Sequence, residues 1–175
     1  MAGIGAAINT AKVREGSTCV VFGAGMVGLG AVAGCRLRGA ERIICLGHHA
    51  DRLATATALG ATLTISSRDD DEIKEAVMEH TGGEGAHVVV DSISGPGSMA
   101  SAHACVRPGG TIACLGMDHF MGKTPSLNWF DQFRRNISVT GGLVPGKRYF
   151  PELLALVEAG KLDPAPMLSH TITLD

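Results

Sequence analysis

One short run of the sequence has the residue types and spacing of a phosphate-binding turn. Residues 23–28, GAGMVG, read G-x-G-x-x-G, directly follow the apolar run 19–22 and open a stretch of helical character. In that context Gly23 permits a tight turn, Gly25 lets a pyrophosphate approach the backbone, and Gly28 lets helix and strand pack closely. Phosphates then bind the free N–H groups at the positive end of the helix. The motif predicts a dinucleotide site, and a glycine-rich turn without a ligand is the alternative.

A second group of polar residues follows the next predicted strand, where a dinucleotide site would meet the adenosine ribose. An Asp or Glu at that position favours NAD, but the sequence has Gly47, which removes the carboxylate that would repel a 2′-phosphate. His48 and His49 offer ring N–H donors, and Arg52 offers a cation. These residues favour NADP(H). NAD is the alternative, with the histidines as surface residues and Asp51 as the ribose ligand.

The elements that position these residues follow from an alternation of short β-branched runs with helical stretches. Strands are predicted at residues 19–22, 42–46, 62–65, 87–91, 111–115 and 137–140. Helices are predicted from the glycine turn to about residue 38 and at 51–59, 70–81, 98–106 and 151–159. Crossovers of this kind force a mostly parallel sheet with helices on both faces. We expect an α/β fold, a doubly wound six-stranded Rossmann sheet in the order 3-2-1-4-5-6. Residues 1–175 form a single dinucleotide-binding domain in this interpretation, with residues 1–16 as a helix leading into the sheet.

The amino-acid composition and net charge limit the classes of binding partner that are expected. Hydrophobic residues make up 45% and charged residues 18%, which is typical of a globular domain, and the net charge of -2 gives no reason to expect nucleic acid or a membrane surface as partner. Residues 16–35 carry no charge, but repeated glycines favour a strand, a turn and a helix over a membrane span. The five cysteines form no C-x-x-C pair, and with no signal peptide they indicate a reducing cytoplasm.

Several segments together resemble the coenzyme-binding domain of zinc-dependent medium-chain alcohol dehydrogenases. The resemblance is carried by residues 3–7 (GIGAA), 11–19 (AKVREGSTC), 22–29 (FGAGMVGL), 39–40 (GA), 59–62 (LGAT) and 107–111 (RPGGT). It extends through essentially the whole chain in order and spacing. The opening segment resembles the alcohol dehydrogenase branch more than the zinc-free quinone reductase branch.

The resemblance implies roles for individual residues. Val27 would lie against the nicotinamide, Arg52 would reach the adenosine ribose or its phosphate, and Ile93 would line the adenine side. Gly47 and His49 match members that use NADP. Residues after the fifth strand would support the nicotinamide, and Ser92 at the rim of the fourth strand could touch the coenzyme. The predicted cofactor contacts are Gly23, Gly25, Met26, Val27, Gly28, Gly47, His48, His49, Arg52, Ser92, Ile93, Leu115, Gly116 and Met117.

The resemblance also implies an activity, reversible hydride transfer between NADP(H) and an alcohol/aldehyde or ketone pair, with zinc polarising the substrate oxygen. The zinc ligands of family members lie in a separate N-terminal domain, so we expect zinc only there and negligible turnover by this chain alone. Asp175 resembles the N-cap of a helix that does not follow, and the chain is expected to be part of a longer protein. Two alternatives stay open: a zinc-free quinone or enone reductase, and a free-standing NADP(H)-binding module.

The last part of the chain carries a candidate interaction surface. Trp129, Phe130 and Phe133 recur near helical spacing, which predicts a packed amphipathic helix. The strand at 137–140 is expected at a bare sheet edge, which favours pairing with another chain. In the family that this sequence resembles, subunits pair on this side, so we expect a homodimer.

Overall fold

The computed structural model describes residues 1–116, 128–168 and 170–173. Within them lies one six-stranded sheet in the order β3-β2-β1-β4-β5-β6, and every strand pair in it is parallel. The strands are β1 (Thr18–Phe22), β2 (Arg42–Leu46), β3 (Leu63–Ile65), β4 (Ala86–Asp91), β5 (Val106–Cys114) and β6 (Ser138–Gly141). This confirms the predicted fold class and strand order.

Helices connect the strands and cover both faces of the sheet. The α-helices in the described residues are α1 (Ala2–Gly5, continued by a π-helical turn over Ala6–Thr10), α2 (Met26–Leu37), α3 (Ala50–Leu59), α4 (Asp70–His80), α5 (Pro96–Cys105), α6 (Trp129–Arg135) and α7 (Gly146–Glu158). A 3₁₀ turn, Ala165–Met167, follows α7.

The core is divided by the sheet because successive strand residues point to opposite faces. In β1, Cys19 and Val21 belong to a cluster with α2, whereas Val20 and Phe22 belong to a cluster with α4 and α5. All five residues of β1 are buried, as expected for a central parallel strand covered on both sides. The strand that carries the glycine motif is therefore held from both faces, which fixes the position of the turn that follows it.

The uncharged run 16–35 forms a strand, a turn and a buried helix. Helix α1 crosses α2 so closely that a Cβ added to Gly3 would overlap the Val27 carbonyl oxygen, and one added to Gly34 would lie 2.8 Å from the Ala7 Cβ. The small residues permit this approach of two helix backbones. Among the described residues, no helix has the length and apolar character needed to cross a bilayer.

The structure corrects several predicted boundaries. The helix predicted at 98–106 ends at Cys105, and β5 begins at once with Val106 instead of at residue 111. Residues 107–110 form an irregularity inside β5, because the partners of Ala86 and Val88 on β5 are Val106 and Thr111. The residues between the predicted helix and the predicted strand are therefore a bulged part of the strand.

Two further expectations were wrong at the ends of the chain. The N-terminal helical segment covers residues 2–10 and not 1–16. Helix α7 begins at Gly146, five residues before Pro151, so the proline lies inside the helix, where it has no N–H to donate to the carbonyl oxygen four residues earlier. The predicted N-cap Asp175 lies outside the described residues.

The packed helix predicted at residues 129–135 exists, but its aromatic residues do not pack. Trp129 is 69% exposed, Phe130 is 73% exposed and Phe133 is 82% exposed, and no residue of α6 is buried. Periodicity predicted the helix correctly, but it could not show that the apolar side faces outward.

Candidate functional site

A cleft of about 450 Å³ lies at the carboxyl ends of the central strands. It is bounded by the last residues of β1 and β2, by the turn after β4, and by the first turns of α4 and α5. The carboxyl edge of a doubly wound parallel sheet is where such folds bind ligands. Seven of the predicted contacts line the cleft: Gly23, Gly25, Gly47, His48, His49, Arg52 and Ile93.

The turn between β1 and α2 is built almost wholly from backbone. Gly23 has a φ of 92°, which favours glycine, and a Cβ added to Gly28 would overlap the Gly23 carbonyl oxygen. Gly25 is the N-cap of α2 and makes no side-chain cap, so the first N–H groups of the helix have no side-chain acceptor. A Cβ added to Gly25 would meet no atom within 4 Å. The space in front of the helix is thus open to a phosphate group, and the residues fit a dinucleotide.

The end of β2 leaves no room for a side chain at Gly47. A Cβ added there would lie 2.8 Å from the Ala24 Cβ and 3.1 Å from the Leu53 Cδ2, so a carboxylate could enter only with a shift of the neighbouring turn. His48 and His49 follow and are exposed. His49 is the N-cap of α3, but its side chain makes no cap hydrogen bond. Its ring is therefore available to a ligand.

The turn between β4 and α5 is held by a buried carboxylate. Asp91, at 0% exposure, accepts hydrogen bonds from the Ile93 N–H at 2.9 Å, the Ser94 N–H at 2.9 Å and the Ser98 hydroxyl at 2.8 Å. These bonds hold Ser94 at a φ of 55°, a left-handed conformation that is uncommon for serine. The carboxylate thereby fixes where Ile93 meets the cleft.

Hydrogen bonds from this turn reach the neighbouring strand ends. The Ser92 hydroxyl donates to the Phe22 carbonyl oxygen at 2.6 Å, and the Gly116 N–H donates to the Ser94 hydroxyl at 2.9 Å. A Cβ added to Gly116 would overlap the Ile93 carbonyl oxygen. The ends of β1, β4 and β5 are therefore linked by side-chain bonds and close packing at the rim.

The other predicted contacts lie beside the cleft and not in its wall. Met26 and Val27 begin α2, while Ser92 uses its hydroxyl to link two strand ends. Gly28 and Gly116 serve close backbone packing in this structure. Leu115 packs against the core, and its N–H donates to the Asp91 carbonyl oxygen at 2.9 Å. The predicted contact Met117 lies outside the described residues.

With the geometry in place, comparison with known proteins identifies the family. The family described as zinc-binding dehydrogenase matches residues 26–159. The chain belongs to this family. It is the coenzyme-binding domain of an alcohol dehydrogenase-like oxidoreductase, which confirms the resemblance drawn from the sequence.

Individual relatives agree with this assignment. The chain is 35% identical to alcohol dehydrogenase 6 of Peromyscus maniculatus over 179 residues, covering 99% of this chain and 47% of that protein. It is 32% identical to the geraniol dehydrogenase of Castellaniella defragrans over 162 residues, covering 91% of this chain and 43% of that protein. The benzyl alcohol dehydrogenase structure from Acinetobacter calcoaceticus superposes with a TM-score of 0.84 at 31% identity, covering 91% of this chain and 44% of that one. The dehydrogenase domain spans about half the length of these relatives.

Sequence reasoning missed the contribution of the turn after β3. Ser67, Arg68 and Asp70 all line the cleft. An acidic run, residues 69–72, begins there, and such a run at a predicted helix start is ordinarily interpreted as a solvated helix N-terminus. That interpretation holds for Asp69, whose carboxylate accepts from the Asp71 N–H at 2.9 Å and the Glu72 N–H at 3.1 Å. The overlooked signal was Arg68, because the carboxyl end of β3 also opens toward a site at this edge of the sheet.

The described residues supply no metal site. No group of three or more His, Cys, Asp or Glu side chains in residues 1–116, 128–168 and 170–173 is arranged to hold a metal ion. Burial raises the pKa of Cys45 to about 12 and the pKa of Cys105 to about 12. Both thiols are protonated near neutral pH, whereas zinc and electrophiles require the thiolate.

Proposed function

We propose that this dehydrogenase domain binds NADP(H) in preference to NAD(H), with the pyrophosphate at the β1–α2 turn and the adenosine 2′-phosphate near the ends of β2 and β3. The observation that carries the proposal is the wall of the cleft beyond Gly47. There Arg52 and Arg68 lie together with His48 and His49, and Gly47 leaves no carboxylate at the ribose position.

The charged side chains of the cleft support a preference for NADP(H), which carries a 2′-phosphate, over NAD(H), which does not. Arg52 and Arg68 are both exposed, and neither has an ion pair with a residue in the described part of the chain. Asp70 also lines the cleft, but its carboxylate accepts a hydrogen bond from the Ser101 hydroxyl. A phosphate dianion gains charge-assisted bonds from unpaired guanidinium groups, whereas the bare hydroxyl of NAD gains much less.

We further propose that the protein to which this domain belongs transfers hydride between NADP(H) and an alcohol/aldehyde or ketone pair. When bound, the nicotinamide would donate or accept the hydride, and zinc, for which the described residues form no site, would polarise the substrate oxygen. This domain binds and orients the coenzyme, and the β4–α5 turn shapes one wall of its cleft. A zinc-free quinone or enone reductase is the alternative in the same superfamily, and a free-standing NADP(H)-binding module is the non-enzymatic one. The five free thiols fit a cytoplasmic location.

The preference for NADP(H) is tested by fluorescence titration of the chain with NADPH and with NADH. We expect tighter binding of NADPH, and a loss of about tenfold or more in NADPH affinity for the double variant Arg52→Gln/Arg68→Gln. NADH affinity should change little. Arg148→Gln is the matched control, because Arg148 is an exposed arginine on α7, outside the cleft. Equal or tighter binding of NADH by the unaltered chain would overturn the proposal.

We propose a homodimer through β6. In the strand order β6 is an edge of the sheet, and α6, which directly precedes it, exposes Trp129, Phe130 and Phe133. An edge strand beside exposed aromatic side chains favours pairing with a second copy. Light scattering at increasing concentration should give the mass of a dimer, and Phe133→Glu should give a monomer. The matched control Phe150→Glu alters a phenylalanine that is 61% exposed on α7 and should leave the dimer intact. A wild-type monomer at all concentrations would refute this arrangement.

A further inference from the structure

A second cleft lies at the opposite edge of the sheet, where β1, β4, β5 and β6 begin. Its volume is about 610 Å³, and it is bounded by the segment between α1 and β1, by the start of β4 and by the bulged part of β5. It shares no lining residue with the coenzyme cleft. Coenzyme binding therefore does not account for it.

The floor of this cleft is a stripe of hydroxyl groups. Thr111 of β5 is in register with Ser138 of β6, and Thr140 lies two residues further along the same strand. Because residues two apart share a face of the sheet, all three face the side that elsewhere carries the apolar cluster of Val88, Val90 and Ala113. Hydroxyl groups at positions that are apolar in the rest of this face indicate a polar occupant.

The walls of the cleft carry positive charge. Lys12, Arg14 and Arg107 line it, and no aspartate or glutamate does so within the described residues. None of these three cations forms an ion pair inside the described ranges. The Arg107 Nε is buried and has no hydrogen-bond partner there, although a buried guanidinium nitrogen normally has one. The cleft thus offers several unpaired donors and no acceptor of opposite charge.

His87 adds a donor of fixed orientation. Its Nδ1 accepts a hydrogen bond from the Thr18 N–H at 3.1 Å, which leaves Nε2 as the N–H donor of the neutral ring. Burial and the neighbouring Arg107 lower the pKa of His87, while Glu84 and Glu41, which do not line the cleft, act in the opposite direction. The ring is therefore a neutral donor at pH 7.

Backbone strain is found at the same place. Lys12 has a φ of 53°, in the left-handed region that favours glycine or asparagine. A lysine there is disfavoured for local conformation, and within the described residues its side chain makes no hydrogen bond or ion pair that offsets that cost. Strained residues cluster where a side chain serves binding.

We infer that this cleft is a second ligand site, which takes a compact oxyanion of the phosphate class, either inorganic phosphate or the phosphate group of a small ester. A tetrahedral phosphate can accept hydrogen bonds from many directions, which suits donors that come from two strands, a bulge and a loop. A planar carboxylate can use fewer of them. The inference is independent of coenzyme preference.

The test is a titration of the chain with inorganic phosphate, followed by calorimetry and by amide chemical shifts. We expect saturable binding, with the largest shifts at residues 9–14 and 138–141. Glycerol phosphate and succinate form the comparison arms. Binding of both phosphates but not of succinate supports the phosphate class, and glycerol phosphate binding better than inorganic phosphate identifies an ester as the ligand. Succinate binding as tightly as phosphate would overturn the choice of class.

Two variants separate binding from folding. Lys12→Asn removes the charge but suits a positive φ, so we expect unchanged or higher thermal stability with about tenfold weaker phosphate binding. Arg107→Gln should weaken binding by a similar factor. The control Lys147→Gln removes an exposed charge on α7, and Arg52→Gln removes one from the coenzyme cleft. Neither control should alter the shifts at residues 138–141. No saturable binding, or binding that Lys12→Asn leaves intact while Arg52→Gln removes it, would overturn the inference.

Discussion

The two strand-to-helix turns that meet at the coenzyme cleft are built by opposite means. The β1–α2 turn consists of Gly23, Ala24 and Gly25 and is shaped by backbone alone. The neighbouring β4–α5 turn, residues 92–95, is held by the buried carboxylate of Asp91 and by serine hydroxyls. The strands that carry them are adjacent and parallel, with Phe22 in register with Asp91.

The difference follows from what each turn must leave free. In the proposed function the first turn presents helix N–H groups to a phosphate, and a side chain there would fill the space for the phosphate or accept hydrogen bonds from the same N–H groups. The second turn supplies a side chain, Ile93, to the wall of the cleft, so its own N–H groups can be committed to Asp91. A turn that binds through its backbone thus depends on glycine, and a turn that positions a side chain can be fixed by hydrogen bonds.

The largest effects should come from the glycine turn, where two similar substitutions are expected to act differently. In Gly28→Ala the new Cβ overlaps the backbone oxygen of Gly23, which no side-chain rotation can relieve. We expect a loss of about 3 kcal/mol or more in the free energy of unfolding, measured by urea denaturation.

Gly25→Ala is the matched control for Gly28→Ala. It adds the same methyl group in open space, on a backbone of φ -79° that any residue adopts. The free energy of unfolding should fall by no more than about 1 kcal/mol. Nucleotide affinity should fall markedly, because the methyl group fills the approach to the helix N-terminus. If both variants lose stability equally, the turn does not reserve space for a ligand.

A smaller loss of stability is expected from substitutions in the β4–α5 turn, which is held by hydrogen bonds. Asp91→Ala leaves two backbone N–H groups and the Ser98 hydroxyl without their buried acceptor. We expect a loss of about 2 kcal/mol in the free energy of unfolding, with Ser98→Ala as a control that costs about 1 kcal/mol. Nucleotide titration of both variants completes the test. An Asp91→Ala protein of unchanged stability would mean that packing, and not this carboxylate, holds the turn.

The contrast between the turns also explains what could be predicted from the sequence. The glycine turn was predictable because a tight strand-to-helix turn of this kind requires glycine at fixed spacings after a strand, and those spacings are local. The role of Asp91 was not, since a carboxylate at the end of a strand becomes a structural acceptor only when its donors fold around it. Arg68 was missed for a related reason: it joins the cleft through the placement of β3 beside β2, a relation that no local motif contains.

Other features of the fold also differ in whether local sequence patterns could predict them. The order of the strands followed from the doubly wound pattern of right-handed crossovers, in which the chain returns to the middle of the sheet between β3 and β4. The outward-facing aromatic residues of α6 and the bulge at residues 107–110 did not follow, because each depends on contacts with a different part of the chain. The cationic cleft at the other edge is assembled from four separate segments. The periodicity of the sequence predicted the helices and strands. Which distant loops lie next to each other could be seen only in the structure.

The smallest expected effect on stability comes from the contact between the two turns. It is best measured as a coupling free energy between one substitution in each turn. A Cβ added to Gly23 would lie 2.6 Å from the Ser92 Oγ, the same atom that donates to the Phe22 carbonyl oxygen. Gly23→Ala is strained by its φ of 92° in any background, but its overlap with the Ser92 hydroxyl disappears in Ser92→Ala, which leaves only the looser contacts of the new Cβ with the Ile93 Cγ1 at 3.3 Å and Cδ1 at 3.6 Å. Urea denaturation of the four proteins in a double-mutant cycle should give a coupling free energy of about 1 kcal/mol, with the double variant more stable than the sum of the single changes predicts. If the free-energy changes of the two single variants simply add, the two turns are adjacent but do not affect each other's stability. The position of Ile93 in the wall of the cleft would then depend on Asp91 alone.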